Sequence, residues 1–154
     1  MGKLALLLLV LNSPAPVVII NSHTGSKLTV TSHLPSPRTL NRFFRCAHDR
    51  RYTLMDPRLM LAAVNAARHF GQTRIVIISA FRTRRLNEEM RTKSHKVALR
   101  SRHVHGQALD LRILGVDTAV LCEYLRSVHK GGVGCYPRLR FVHVDVGPVR
   151  KWDG

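Results

Sequence analysis

Hydrophobic positions along this chain change period several times, and each change marks an element. Val17-Val18-Ile19-Ile20 is a short β-branched run. The turn cluster Asn21 to Ser26 separates it from a second β-prone stretch, Lys27 to Thr31, so a hairpin is predicted. Pro35 and Pro37 punctuate a loop, and Thr39 to Ala47 is predicted as a short helix. Asp56-Pro57 starts a longer helix, with Asp as N-cap and Pro in the first turn. Leu59, Met60, Ala63, Val64, Ala67 and Phe70 then recur at helical spacing until Gly71 ends the run. Arg74 to Ser79 is β-branched without polar alternation, as an inner strand should be. Thr83 to Thr92 is predicted helical with Leu86 and Met90 inward. Asp117 caps a last helix whose apolar positions are Val120, Leu121, Tyr124, Leu125 and Val128, and Gly131-Gly132 stop it. Helices mixed with short strands predict an α+β domain: a small, largely antiparallel sheet with helices packed on it.

Two further stretches alternate with period two, and they carry the chemistry. In Ala108 to Ile113, Ala108, Asp110 and Arg112 share one face, and Leu109, Leu111 and Ile113 share the other. In Phe141 to Val146, His143 and Asp145 point the same way. If the two strands are neighbours, Asp110, His143 and Asp145 converge, and His103 needs only to reach in from the preceding loop. Gly106 would let that loop turn sharply. Two imidazoles and a carboxylate are the ligand mixture that a catalytic zinc ion favours. His105 is a rival ligand, since His103 and His105 form a His-x-His pair.

Charge adds a partner class. The 154 residues hold 25 Lys and Arg against 9 acids, a net charge of +16, which predicts attraction to polyanions. Nucleic acid is the generic partner for such a charge, and anionic cell-envelope polymers serve equally well. The basic residues are scattered rather than gathered in a tail, with no RNP-like aromatic motif and no Cys/His finger spacing. Cys46, Cys122 and Cys135 form no Cys-x-x-Cys pair. Cys122 reads as a helix core residue and the other two as incidental. Lys3 followed by the apolar run Leu4 to Leu11 reads as a short signal peptide over residues 1–15, leaving one domain over 16–154. The run is too short to cross a bilayer as a helix.

The pattern Ser101-x-His103-x-x-Gly106-x-Ala108-x-Asp110 resembles the zinc D-Ala-D-Ala metallopeptidase and murein endopeptidase family, in the clan that also holds lysostaphin-type peptidases and the hedgehog domain. Ile78-Ser79-Ala80-Phe81-Arg82-Thr83 resembles the family's Ser-Gly-Tyr-Arg-Ser segment, with Asn87 at the matching distance. Val97-Ala98, Gly131-Gly132-Val133-Gly134 with Tyr136-Pro137, Phe141 to Gly147, and the ending Gly147 to Trp152 are similar to the murein endopeptidase K branch. The resemblance spans roughly Val17 to Trp152.

It implies the same α+β architecture, with zinc held on the sheet in an open groove by His103, Asp110 and His143. It selects His103 over His105. Arg82 is implied to face the scissile carbonyl. Several relatives carry an acid three residues before the last zinc-binding His. Here that position is Arg140, which cannot accept a proton, so Asp145 is left either as general base or as a carboxylate that orients His143. Ser101 is expected to brace the ligand loop. Ala80-Phe81 in place of Gly-Tyr, and Cys135 in place of an aromatic residue, bear on substrate preference. The activity implied is zinc-dependent hydrolysis of peptidoglycan peptides, of the endopeptidase or D,D-carboxypeptidase type, in the periplasm or cell envelope if the N-terminal segment is a signal peptide, with no nucleic-acid partner, no stable membrane insertion and no oligomeric state specified. A catalytically silent, zinc-containing wall binder of the same fold is the alternative, and a basic nucleic-acid-binding protein is a more distant one.

Overall fold

The computed structural model describes residues 14–94 and 97–154. The expected signal segment falls mostly on residues 1–13, outside the described residues. Seven strands form one sheet in the order β2-β1-β3-β4-β6-β5-β7. They are β1 (Val17–Asn21), β2 (Lys27–Val30), β3 (Arg74–Ser79), β4 (Ala108–Ile113), β5 (Gly132–Tyr136), β6 (Phe141–Asp145) and β7 (Arg150–Asp153). The β1–β3 and β5–β7 pairings are parallel and the others antiparallel, so the largely antiparallel α+β expectation holds.

Among the described residues four helices accompany the sheet: α1 (Pro37–Phe43), α2 (Pro57–His69), α3 (Arg84–Lys93) and α4 (Thr118–Val128). Asp56 caps α2 through the Arg58 amide, and Asp117 caps α4 through the Ala119 and Val120 amides. Leu59, Met60, Ala63, Val64 and Ala67 of α2 and Leu121 and Leu125 of α4 are buried against Ile19, Ile75, Ile77, Leu109, Leu111, Val142 and Val144. Leu109, Leu111 and Ile113 thus face the core as alternation predicts. The opposite face of β4 and β6 is left to Asp110, His143 and Asp145.

Some expectations need correction. The first helix starts at Pro37 rather than Thr39, because Ser36 caps it and Pro37 fills a first-turn position whose amide has no partner to lose. It also ends at Phe43, not Ala47. In α3, Leu86 and Met90 are only half-buried and Asn87 is the buried residue, 3% exposed, its amide donating to the Ala98 carbonyl at 3.1 Å. In α4, Val120 and Val128 are about half exposed. That helix buries a narrower stripe, Leu121, Cys122 and Leu125, than its apolar positions suggest. Cys122 is a buried helix residue as expected, but Cys135 is not incidental: a disulfide joins the two, tying α4 to β5, while Cys46 is free and buried.

Candidate metal centre

Strand register brings the site together. Asp110 of β4 pairs directly with His143 of β6, so both side chains project side by side from the same face. His103 belongs to a 3-10 turn, Arg102–His105, that ends at Gly106 in the left-handed conformation (φ 66°). A Cβ at Gly106 would run into the Leu54 carbonyl, so glycine is required twice over, for its backbone angle and for the close approach. The turn aims His103 inward, where it is 1% exposed, and leaves His105 exposed outside the cluster.

One ligand atom from each of His103, Asp110 and His143 lies within 4.8 Å of the others. His103 Nε2 and His143 Nδ1 sit 3.2 and 2.8 Å from the same oxygen, Asp110 Oδ1, and 3.3 Å from each other. The outer nitrogens are committed elsewhere. His103 Nδ1–H donates to the Ala80 carbonyl at 2.7 Å, and His143 Nε2–H donates to Asp145 Oδ2 at 3.2 Å. In the neutral tautomers these bonds select, His103 Nε2 and His143 Nδ1 both turn lone pairs towards a carboxylate oxygen. Three acceptors converging in a buried place repel one another unless a cation lies among them. The donor set therefore fits a divalent metal, with each imidazole braced on its far side as metal-ligating histidines are.

The electrostatics agree. Burial above all pushes the His103 imidazole down from its ordinary value, with the Arg82 and His143 charges adding to it and Asp110 opposing. For His143 burial also acts downward, but hydrogen bonds and charge from Asp110 and Asp145 outweigh it and raise the value. Burial would raise Asp110, yet the two histidines hold its carboxyl well below the usual carboxylate range.

Asp145 lies on the far side of the His143 ring. It is fully buried and surrounded by donors: His143 Nε2, Arg150 at 2.8 Å, Arg102 Nε at 3.3 Å and the Gly147 amide at 2.8 Å. Burial opposes its ionisation, but these donors keep it ionised. The His129 ring also donates to its carbonyl, at 2.8 Å.

Arg82 follows β3 closely. Its terminal nitrogens meet Met90 Sδ at 3.4 Å and, at a long 3.4 Å, Ser101 Oγ, and its Nε has no partner. Burial pushes its pKa down, Asp110 and Tyr136 oppose this, and a guanidinium stays charged at neutral pH regardless. Ser101 thus meets Arg82 at the start of the ligand loop, in keeping with its expected bracing role.

An aromatic wall beside His103, Asp110 and His143 went unassigned in the sequence. Trp152 packs on the His143 ring with centroids 5.2 Å apart and donates from Nε1 to the Tyr136 hydroxyl at 3.0 Å; Tyr136 in turn stacks on Phe141. Trp152 reaches His143 by crossing β5 at Gly134, and Arg150 reaches Asp145 by crossing it at Gly132. A Cβ at either glycine would collide with the crossing group or its target. The Gly132-Val133-Gly134 spacing was the available signal, since alternate glycines vacate one face of a strand.

A family described as peptidoglycan L,D-endopeptidase MepK, of the M15 peptidase type, matches residues 16–152. The chain is 34% identical over 157 residues to the "Probable peptidoglycan L,D-endopeptidase MepK" of Haemophilus influenzae, covering 96% of this chain and 84% of that protein. It is 33% identical over 154 residues to the peptidoglycan L,D-endopeptidase MepK of Escherichia coli K12, covering 92% and 83% respectively. No solved structure matches. With a match that runs through every strand of the sheet and relatives aligned along most of their length, the chain belongs to the MepK family of M15-type peptidases.

Proposed function

We propose that this protein is a zinc-dependent peptidoglycan endopeptidase that hydrolyses an amide joining an L-centre to a D-centre in cross-linked stem peptides. The observation that carries the assignment is the convergence of His103 Nε2, Asp110 Oδ1 and His143 Nδ1, each imidazole braced from behind. These three residues would hold the ion. Zinc bound there supplies Lewis acidity, which polarises an amide carbonyl and acidifies water towards a pKa of ~7.

The chain's own residues do the rest. Arg82, with donors to spare, faces the negative charge that develops on the carbonyl oxygen. Asp145 holds His143 in the tautomer that presents Nδ1. A base must exchange protons with the groove, and a fully buried carboxylate already covered by donors is poorly placed to do so. We therefore assign Asp145 the positioning role. The site of action is the cell envelope. The Cys122–Cys135 disulfide supports this, since such bonds persist in oxidising compartments. Among the described residues no helix is long and apolar enough to cross a membrane.

Arg140, standing where the family resemblance implies an acid, favours the second reading: the same metal-bearing fold binding the wall without turnover. Metal analysis combined with digestion of purified peptidoglycan, the products separated by mass, decides between them. About one zinc per chain with new cleavage products is expected, and one zinc without products would establish the silent binder. His103→Ala should lose most of the metal and His105→Ala none of it. Undiminished zinc in His103→Ala would move the ligand role to His105. Arg82→Ala should lower turnover by roughly 10²–10³, the cost of one lost oxyanion donor, with zinc content unchanged. A fall below about threefold would remove Arg82 from the mechanism.

A further inference from the structure

A cavity of about 700 Å³ opens beside the metal centre and takes no part in holding it. It adjoins the catalytic segments along the chain: Phe81 and Thr83, which flank Arg82, line it, and so does Val104, which follows His103. The Arg82 amide donates to the His103 carbonyl at 3.2 Å, which sets the segment lining the cavity against the ligand loop.

The lining is strongly cationic. His48, Arg51, Arg84 and Arg85 face it, against the single acid Asp49. That acid is already engaged: His48 meets it at 2.8 Å, and Arg85 and the Thr83 hydroxyl close on its two oxygens. The bonds from His48 and Thr83, with Arg85, outweigh partial burial and hold the Asp49 carboxyl well below the usual range, so it stays ionised and fully used. Arg85 also pairs with Glu89 at 3.1 Å. Arg51 and Arg84, both exposed, have no ion pair among the described residues. Two guanidinium groups are thus left over in an open, partly apolar recess, an arrangement suited to a carboxylate carried on a hydrocarbon stem.

We infer that this cavity is a specificity subsite in which Arg51 and Arg84 bind a free carboxylate of the stem peptide, and that the enzyme discriminates against peptides whose carboxylate there is amidated. The inference rests on the peptidase reading for the identity of its ligand. Peptidoglycan stems that end in diaminopimelate offer two sources of the same chemistry, a side-chain carboxylate and a terminal one.

Calorimetric binding of the stem tripeptide ending in diaminopimelate tests the subsite without turnover. Three forms are compared: unmodified, amidated at the side-chain carboxylate, and amidated at the terminal carboxylate. The zinc-loaded protein should bind the unmodified form about tenfold or more tighter than one of the two amides, as expected for losing a hydrogen-bonded charge. That amide identifies the carboxylate seated in the cavity. In the double variant Arg51→Gln/Arg84→Gln the preference should fall below about twofold, with zinc content unchanged. A control of equal charge, Lys27→Gln/Arg74→Gln, at the starts of β2 and β3 and outside the cavity lining, should keep the full preference. Equal binding of all three forms by the unaltered protein, a preference that survives in Arg51→Gln/Arg84→Gln, or one that the control also abolishes would each overturn the subsite. Digestion of cross-linked peptidoglycan is scored separately. Absence of cleavage would overturn the peptidase reading, whereas the binding comparison judges the subsite on its own.

Discussion

At the scale of single residues, His143 is held between two carboxylates that act differently on it. Asp110 shares the inner nitrogen's side and Asp145 takes the outer N–H. The ring is thereby fixed in tautomer and in orientation, which is how a partner beyond the ligands tunes a metal site. Asp145→Asn keeps the shape but offers His143 a weaker acceptor and leaves Arg102 and Arg150 without their counter-charge. Zinc affinity should fall about 10–100-fold, with activity recovering when zinc is in excess. Titration with a competing chelator measures the first effect and assays at several zinc concentrations the second. If the variant instead keeps its zinc and still loses turnover by about 10² or more, Asp145 is the general base and the positioning role is withdrawn.

At the scale of elements, the site is a product of register. Asp110, His143, Gly134 and Trp152 occupy one row across β4, β6, β5 and β7, and Ala108, Asp145, Gly132 and Arg150 occupy another. In each row the glycine lets a residue from β7 reach over β5. A register irregularity between β3 and β4 at Ile77–Ser79 lies beside the same row, where such bulges re-aim neighbouring side chains. Gly134→Ala places a methyl group where the Trp152 indole lies. Chemical denaturation should show a loss of about 1–3 kcal/mol, typical of overpacking. Trp152 is the only tryptophan in the chain, so its fluorescence reports the displacement directly. An unchanged spectrum and an unchanged midpoint would show that β7 does not depend on Gly134.

At the scale of the whole molecule, two properties act on no single site. The +16 net charge gives the surface a long-range attraction for anionic polymers. Binding to intact sacculi should weaken steeply between low and physiological salt, because exposed charges are screened beyond ~8–10 Å. Sedimentation of the protein with sacculi across a salt series measures this. Salt-independent binding, or tighter and sequence-dependent binding to DNA, would remove the electrostatic account. The Cys122–Cys135 disulfide, spanning 13 residues, anchors the helix behind the site to the strand beside His143. A closed loop of that size contributes about 3 kcal/mol in the chain-entropy picture.

Local chemistry was legible from the chain alone. Asp56-Pro57 and Asp117 announced their helices because a cap needs only the backbone next to it. The alternation in Ala108 to Ile113 and Phe141 to Asp145 sorted core from site side chains because strand geometry has period two. Motif spacing pointed to His103, Asp110 and His143; the β4–β6 register sets the last two side by side and the turn before β4 brings in the first. What depends on pairing across the fold was not legible. Apolar spacing marked Val120 and Val128 as buried, but how wide a stripe α4 covers is set by how it lies on the sheet. Cys122 and Cys135 looked unrelated because only the docking of α4 on β5 brings their Cα atoms to 5.9 Å. The placement of Asp145 behind His143 rather than among the converging donors, the aromatic wall of Trp152 and Tyr136, and the cationic cavity at Arg51 and Arg84 were likewise decided by tertiary structure. Each joins groups from segments that have no local reason to meet, and periodicity along a chain carries no information about which neighbours it will have.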